Sequence, residues 1–119
     1  MTTADTIDLA VTQDIKDLMS TEQWQGMLAQ LFAAEQGDVA QLLHGLARPD
    51  RHALGDQAHK VRGGCALLGL VALRDVATRI ESQARAAPHT PALLPQASAH
   101  AAALQQASER TQAALANLG

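Results

Sequence analysis

Three observations predict an all-α fold, an antiparallel up-down four-helix bundle with a short extra helix at its N-terminal end. Hydrophobic residues fill 47% of the 119 positions, yet Ala and Leu dominate them, with one Trp, one Phe and no Tyr. That palette favours helices, because Ala and straight-chain residues lose little side-chain freedom there, whereas sheets draw on β-branched and aromatic side chains. Val and Ile are scattered and never alternate over a useful length, so the chain carries no strand signal. Apolar residues recur instead at steps of three and four. The length implies one domain over residues 1–119, with its core bundle at about 20–118. A domain of this size can bury about two-thirds of its unfolded surface without staples.

Along the chain, Ile7 to Met19 reads as a short helix or lid, with Ile7, Val11, Ile15 and Leu18 on one face. Ser20 followed three residues later by Gln23 makes a capping box. The helix it opens presents Trp24, Leu28, Leu31, Phe32, Val39, Leu42 and Leu46 on one broad face and is predicted to run to about Ala47, weakened near Gly37. Pro49-Asp50 ends it, and Asp50 caps the next helix, which continues to about Leu68 with Gly69 at its C-terminus. Leu70, Leu73, Ala77, Ile80 and Ala84 form a further stripe that stops before Pro88. Two prolines in HTPALLP mark a linker and helix entry. The last helix carries Leu94, Ala97, Ala101, Leu104, Ala107, Thr111, Leu115 and Leu118 at steps suited to bundle packing.

The formal net charge of −3 gives no general electrostatic case for nucleic acid. The single cysteine, Cys65, excludes an internal disulfide and a multi-cysteine zinc site, and its place on a core stripe reads as a small hydrophobe. The N-terminus lacks the basic start and apolar run of a secretory signal, and no window approaches the ~20 apolar residues of a membrane span. The expectation is a cytoplasmic, monomeric domain without membrane contact. No glycine-rich nucleotide loop or kinase catalytic-loop pattern is present, so no ATP chemistry is expected of this chain.

One segment asks for an explanation: DQAHKVRGGCALLG, residues 56–69, is a helix that accepts two adjacent glycines. Each interior glycine costs roughly 1 kcal/mol relative to alanine. On a helical wheel with Leu54 at zero, Ala58, Val61, Cys65 and Leu68 fall within about 40° and define the core stripe. His59 falls about 140° away and points outward. Its surface neighbours are Gly55, Arg62, Gly63 and Ala66, three of which have little or no side chain. The imidazole therefore stands on a bare shelf beside one cation. Gly63 is on the solvent side, where close packing does not explain it; Gly64 projects toward the flank, where tight helix contact does. The plain alternative is an exposed histidine among five, with glycines placed by drift. Against it stands chemistry: an imidazole with an ordinary pKa of ~6.5 is a good nucleophile near neutral pH. A phosphoryl group on it would be anionic, and Arg62 one turn on can offset part of that charge. Lys60 is an auxiliary cation in an adjacent sector, Arg48 and Arg51 add positive charge, and Asp50 and Asp56 oppose it.

The segment AHKVRGGCALLGLVALRDVATRIE resembles the signature of histidine-containing phosphotransfer (HPt) domains, through Ala58-His59, Val61, Arg62, Gly63, Gly69, Leu73 and Ile80-Glu81. The likeness reaches upstream to Leu31-Phe32 and Asp50 and covers most of residues 8 to 85; the last helix fits by architecture alone. Two positions depart from the pattern: Arg62 replaces the usual lysine, and Gly64 replaces a small polar residue. The resemblance implies that His59 accepts a phosphoryl group from a receiver-domain aspartate and passes it to another receiver in two-component signalling. The glycine shelf (Gly55, Gly63, Gly64, Ala66) would then be where receivers dock, with Mg²⁺ on the receiver and no cofactor in this chain. It also admits two settings, a free-standing carrier or the C-terminal module of a membrane-anchored hybrid kinase. A second reading is a helical adapter that docks on receivers without being phosphorylated. A third, a metal-binding bundle, finds no support in the spacing: no two of His44, His52, His59, His89 and His100 lie i, i+4, and acidic partners are not in register. His52, seven residues from His59, is a candidate modulator of the site.

Overall fold

Side-chain caps at Asp8, Ser20 and Asp50 open three of the helices. In the computed structural model, which describes residues 3–118, a 3-10 turn over Thr3–Asp5 precedes six α-helices: α1 Leu9–Asp17, α2 Thr21–Phe32, α3 Asp38–Gly45, α4 Arg51–Leu68, α5 Val71–Ala86 and α6 Ala97–Ala116. No strand occurs among the described residues. Ser20 and Gln23 form the capping box, with the Ser20 side chain accepting from the Gln23 backbone and the Gln23 side chain accepting from the Ser20 backbone. Asp50 accepts from the Ala53 N–H and starts α4. Gly69 ends α4 at φ +73°, a left-handed conformation that a side chain would strain.

The helix expected to run unbroken from Ser20 to Ala47 is two helices. Between α2 and α3 the chain folds so closely on itself that a Cβ on Gly37 would lie 2.6 Å from the backbone N and O of Ala33. The break therefore depends on glycine at 37, whose N–H closes a turn onto the Ala33 carbonyl at 3.1 Å. The predicted faces survive on either side of it, with Trp24, Leu31, Val39, Leu42 and Leu46 buried. The stripes of the next two helices are buried as well: Leu54, Ala58, Val61, Cys65 and Leu68 on α4, and Leu73, Ala77, Ile80 and Ala84 on α5.

Two further expectations change. The Ile7–Leu18 face is buried only in part: Ile7, ahead of α1, is fully buried and Ile15 packs against the core, but Val11 and Leu18 are exposed, Leu18 by 82%, and the fully buried residue of the helix is Thr12. Thr12 donates its hydroxyl to the Leu68 carbonyl at 2.7 Å, and the Asp8 N–H donates to the Gly69 carbonyl at 2.8 Å. α1 thus satisfies carbonyls left open at the end of α4. The last helix starts at Ala97 rather than Leu94, because Pro95 and a left-handed Gln96 (φ +60°) intervene, although Leu94 itself is buried. The connection to α6 is fastened to the start of α4 by Arg51, whose guanidinium donates to the carbonyls of Ala92 and Leu93, each at 3.0 Å.

α4 packs chiefly against α5 and also against α3; α5 and α3 pack against α6. Cys65 lies fully buried at the centre of this bundle, and burial pushes its thiol up to about 12. Among the described residues, no helix is long and apolar enough to cross a membrane.

Candidate functional site

Gly69 and Leu70 turn the chain back on itself, so α4 and α5 form an antiparallel hairpin in which Glu81 faces His59 and Arg85 faces Gly55. This brings four charged or titratable side chains to one place from two helices. His59 projects outward, with 58% of its side chain exposed, and its Nδ1 lies 2.9 Å from Glu81 Oε2. Arg62 Nε donates to Glu81 Oε1 at 2.7 Å, and Arg85 Nε donates to Glu81 Oε2 at 3.0 Å. The Glu81 side chain is only 13% exposed. Burial works to raise its carboxyl, but the hydrogen bonds from Arg85, Arg62 and His59 outweigh this and hold it below its ordinary value of 4.5.

Two contacts bear on the tautomer of the ring, both at Nδ1. Nδ1 has a second neighbour, Arg62 Nη2, also at 2.9 Å. In a neutral imidazole that nitrogen either donates or accepts, so it cannot serve both. Glu81 is an ionised acceptor with no proton to give, and an acceptor oxygen 2.9 Å from Nδ1 calls for a proton on the nitrogen. The Glu81 contact suits an imidazole with N–H on Nδ1 and the lone pair on Nε2, whereas the Arg62 contact suits the reverse. No hydrogen bond engages Nε2 among the described residues. The Nη2 end of Arg62 lies beside the ring.

The remaining predicted positions divide. Gly63 is exposed, and a Cβ there would meet nothing within 4 Å, so internal packing does not require glycine. Ala66 is exposed beside it. Gly64 is half-buried against Leu31 of α2, where a Cβ would make an ordinary 3.5 Å contact; close approach does not demand glycine there either. Gly55 is no part of an open shelf, because Arg85 lies over it and leaves it buried. The Lys60 ammonium is not joined to His59; it pairs with Asp38 at the start of α3, at 3.3 Å. His52 stands loosely 3.7 Å from Asp56, an acidic partner that is in i, i+4 register after all. No three His, Cys, Asp or Glu side chains gather as a metal site among the described residues.

Two contributors escaped the sequence reading. Local spacing gives Glu81 a place in the pattern but no role, and does not mark Arg85. The Glu81–Arg85 pair was legible as an i, i+4 spacing. That it meets His59 could have been read from the hairpin, since His59 and Glu81 lie at similar sequence distances on either side of Gly69.

An outward histidine with one nitrogen engaged and the other bare, a guanidinium at its side and a side-chain-free position at Gly63 lie together on one face of α4. No curated protein matches the chain at a significant level. The family model described as the Hpt domain matches residues 26–114, well over half of the sequence and inclusive of the whole His59 constellation. Its members are helical phosphotransfer carriers of phosphorelay signalling rather than kinases, and this chain belongs to the Hpt domain family.

Proposed function

We propose that His59 accepts a phosphoryl group from the aspartyl phosphate of one receiver domain and hands it to the aspartate of another. The observation that carries this reading is the bare, exposed Nε2 opposite an engaged Nδ1. Nε2 attacks phosphorus in line; the N–P bond forms as the P–O bond to the aspartyl carboxylate breaks, and that carboxylate leaves with the electron pair. Nδ1 keeps its proton throughout, and its bond to Glu81 stabilises the positive charge that builds on the ring. Arg62 offsets charge on the equatorial oxygens through Nη2. The second transfer runs the same displacement in reverse onto a new carboxylate. The receiver supplies the aspartate and Mg²⁺; this chain supplies nucleophile, cation and an unobstructed approach over Gly63 and Ala66. The α2–α3 pair, α4, α5 and α6 serve as the four legs of the bundle, with α1 as the extra helix.

Incubation with a phosphorylated receiver tests this. The chain is expected to acquire an acid-labile, alkali-stable phosphate, and His59→Gln is expected to acquire none while keeping its helical circular dichroism. Absence of label under conditions that label another Hpt domain would overturn the reading in favour of an adapter that docks without reaction.

A further inference from the structure

Arg85 makes contacts out of proportion to a surface arginine. Its Nε donates to Glu81 Oε2 at 3.0 Å; its Nη2 reaches Asp56 Oδ1 at 3.3 Å and the Gly55 carbonyl at 3.4 Å. One guanidinium thereby spans α5 and α4 a turn ahead of His59. The seat is shaped for it, since a Cβ on Gly55 would stand 3.3 Å from Arg85 Cγ. The hydrogen bond to Glu81, with that to Asp56, outweighs desolvation and holds the Arg85 guanidinium more firmly protonated than usual. Glycine at 55 therefore accommodates an internal side chain rather than a docking partner.

The consequence falls on Glu81. Its carboxylate has three partners, and the geometry apportions its oxygens: Oε1 to Arg62, and Oε2 to Arg85 and His59. Arg62 alone would draw both oxygens into a two-bond fork, the preferred way for a guanidinium to hold a carboxylate. Such a pivot would take Oε2 from Nδ1. One N–H of Arg62 Nη2 would take Oε2 and its other N–H, on a nitrogen already 2.9 Å from Nδ1, would donate into the ring, so that the ring proton would move to Nε2. An Nε2 that carries a proton has no lone pair for phosphorus.

We infer that Arg85 is a positioning residue for His59: by occupying Oε2 of Glu81 from an anchorage on Asp56 and Gly55, it denies Arg62 the second oxygen and keeps the imidazole in the tautomer with Nε2 bare. Its effect on transfer rests on the reading of His59 as acceptor, but the tautomer is measurable without that reading.

The test uses the full chain labelled with ¹⁵N in its histidine rings, as wild type, Arg85→Gln and Arg85→Lys. Long-range ¹H–¹⁵N correlation at neutral pH reports which His59 nitrogen bears the proton, and the rate of phosphorylation by phosphoramidate is measured on the same samples. Wild type is expected to show the proton on Nδ1. Arg85→Gln is expected to show a substantial Nε2–H population and roughly tenfold slower phosphorylation, the lower end of what losing a supporting partner costs. Arg85→Lys keeps a cation within i, i+4 reach of Glu81 and is expected to restore most of both signals. An Arg85→Gln ring spectrum identical to wild type overturns the inference and leaves His59 as acceptor untouched. A lysine variant no closer to wild type than the glutamine variant overturns it too. Failure of wild type to take phosphate from any receiver, with the tautomer shift intact, would instead remove the acceptor reading alone.

Discussion

The Arg62 guanidinium has one nitrogen on Glu81 and another beside the ring, so its removal should touch rate more than fold. Arg62→Ala is expected to slow transfer from a phosphorylated receiver by roughly 10- to 100-fold, as loss of one charge-stabilising donor does elsewhere, without abolishing it. Single-turnover kinetics checks this; loss as complete as in His59→Gln would mean that Arg62 does more than stabilise charge. What the sequence disclosed at this scale was whatever local spacing dictates. The outward angle of His59, the neighbouring Arg62 and the emptiness around Gly63 all follow from one helix's periodicity. The roof over Gly55 and the bond from His59 to Glu81 do not, because both depend on α5 returning in one particular register.

Helices and their ends carry two further predictions. A Cβ on Gly63 meets nothing, so Gly63→Leu should leave the bundle intact and raise its stability by up to about 1 kcal/mol through helix propensity. If receivers approach over this position, the same variant should transfer more slowly; unchanged transfer with improved thermal stability would show that the approach lies elsewhere. Thr12 supplies the hydroxyl that satisfies the Leu68 carbonyl. Thr12→Val keeps the shape and removes the donor, and should destabilise the domain by about 1–2 kcal/mol in denaturant unfolding, the cost of orphaning a buried acceptor. The caps at Ser20, Asp50 and Gly69 were legible because each is a few residues of local chemistry. The break before α3 was not, since Ala33-Ala34-Glu35-Gln36 would suit a helix and only the close return of the chain at Gly37 forbids it.

Across the whole molecule, pH should act in one direction through two groups. His100 on α6 is buried against α5, where it meets Gln83 Oε1 at 2.9 Å; burial, helped by Arg79, holds it below its ordinary value of 6.5. Glu81 is likewise held below its ordinary value, by its three donors against the opposing effect of burial. A group depressed in the folded state binds its proton more readily when unfolded, so each contributes stability above its ordinary value and loses it as pH falls through its folded one. Unfolding free energy should therefore decline in two stages, first as pH drops below 6.5 and again below 4.5. Urea titrations across pH check this: His100→Gln should remove the first stage and Glu81→Gln should soften the second.

Cys65 has a practical consequence. The sequence contains no other thiol, and this one sits sealed in the interior with its ionisation pushed up to about 12. Since the thiolate is the reacting form, maleimide and iodoacetamide should pass the native domain by. A second cysteine introduced on an outer helix face would then be the sole point of attachment for a fluorophore or spin label, and distances to a labelled receiver could be recorded without first stripping the natural residue from the interior.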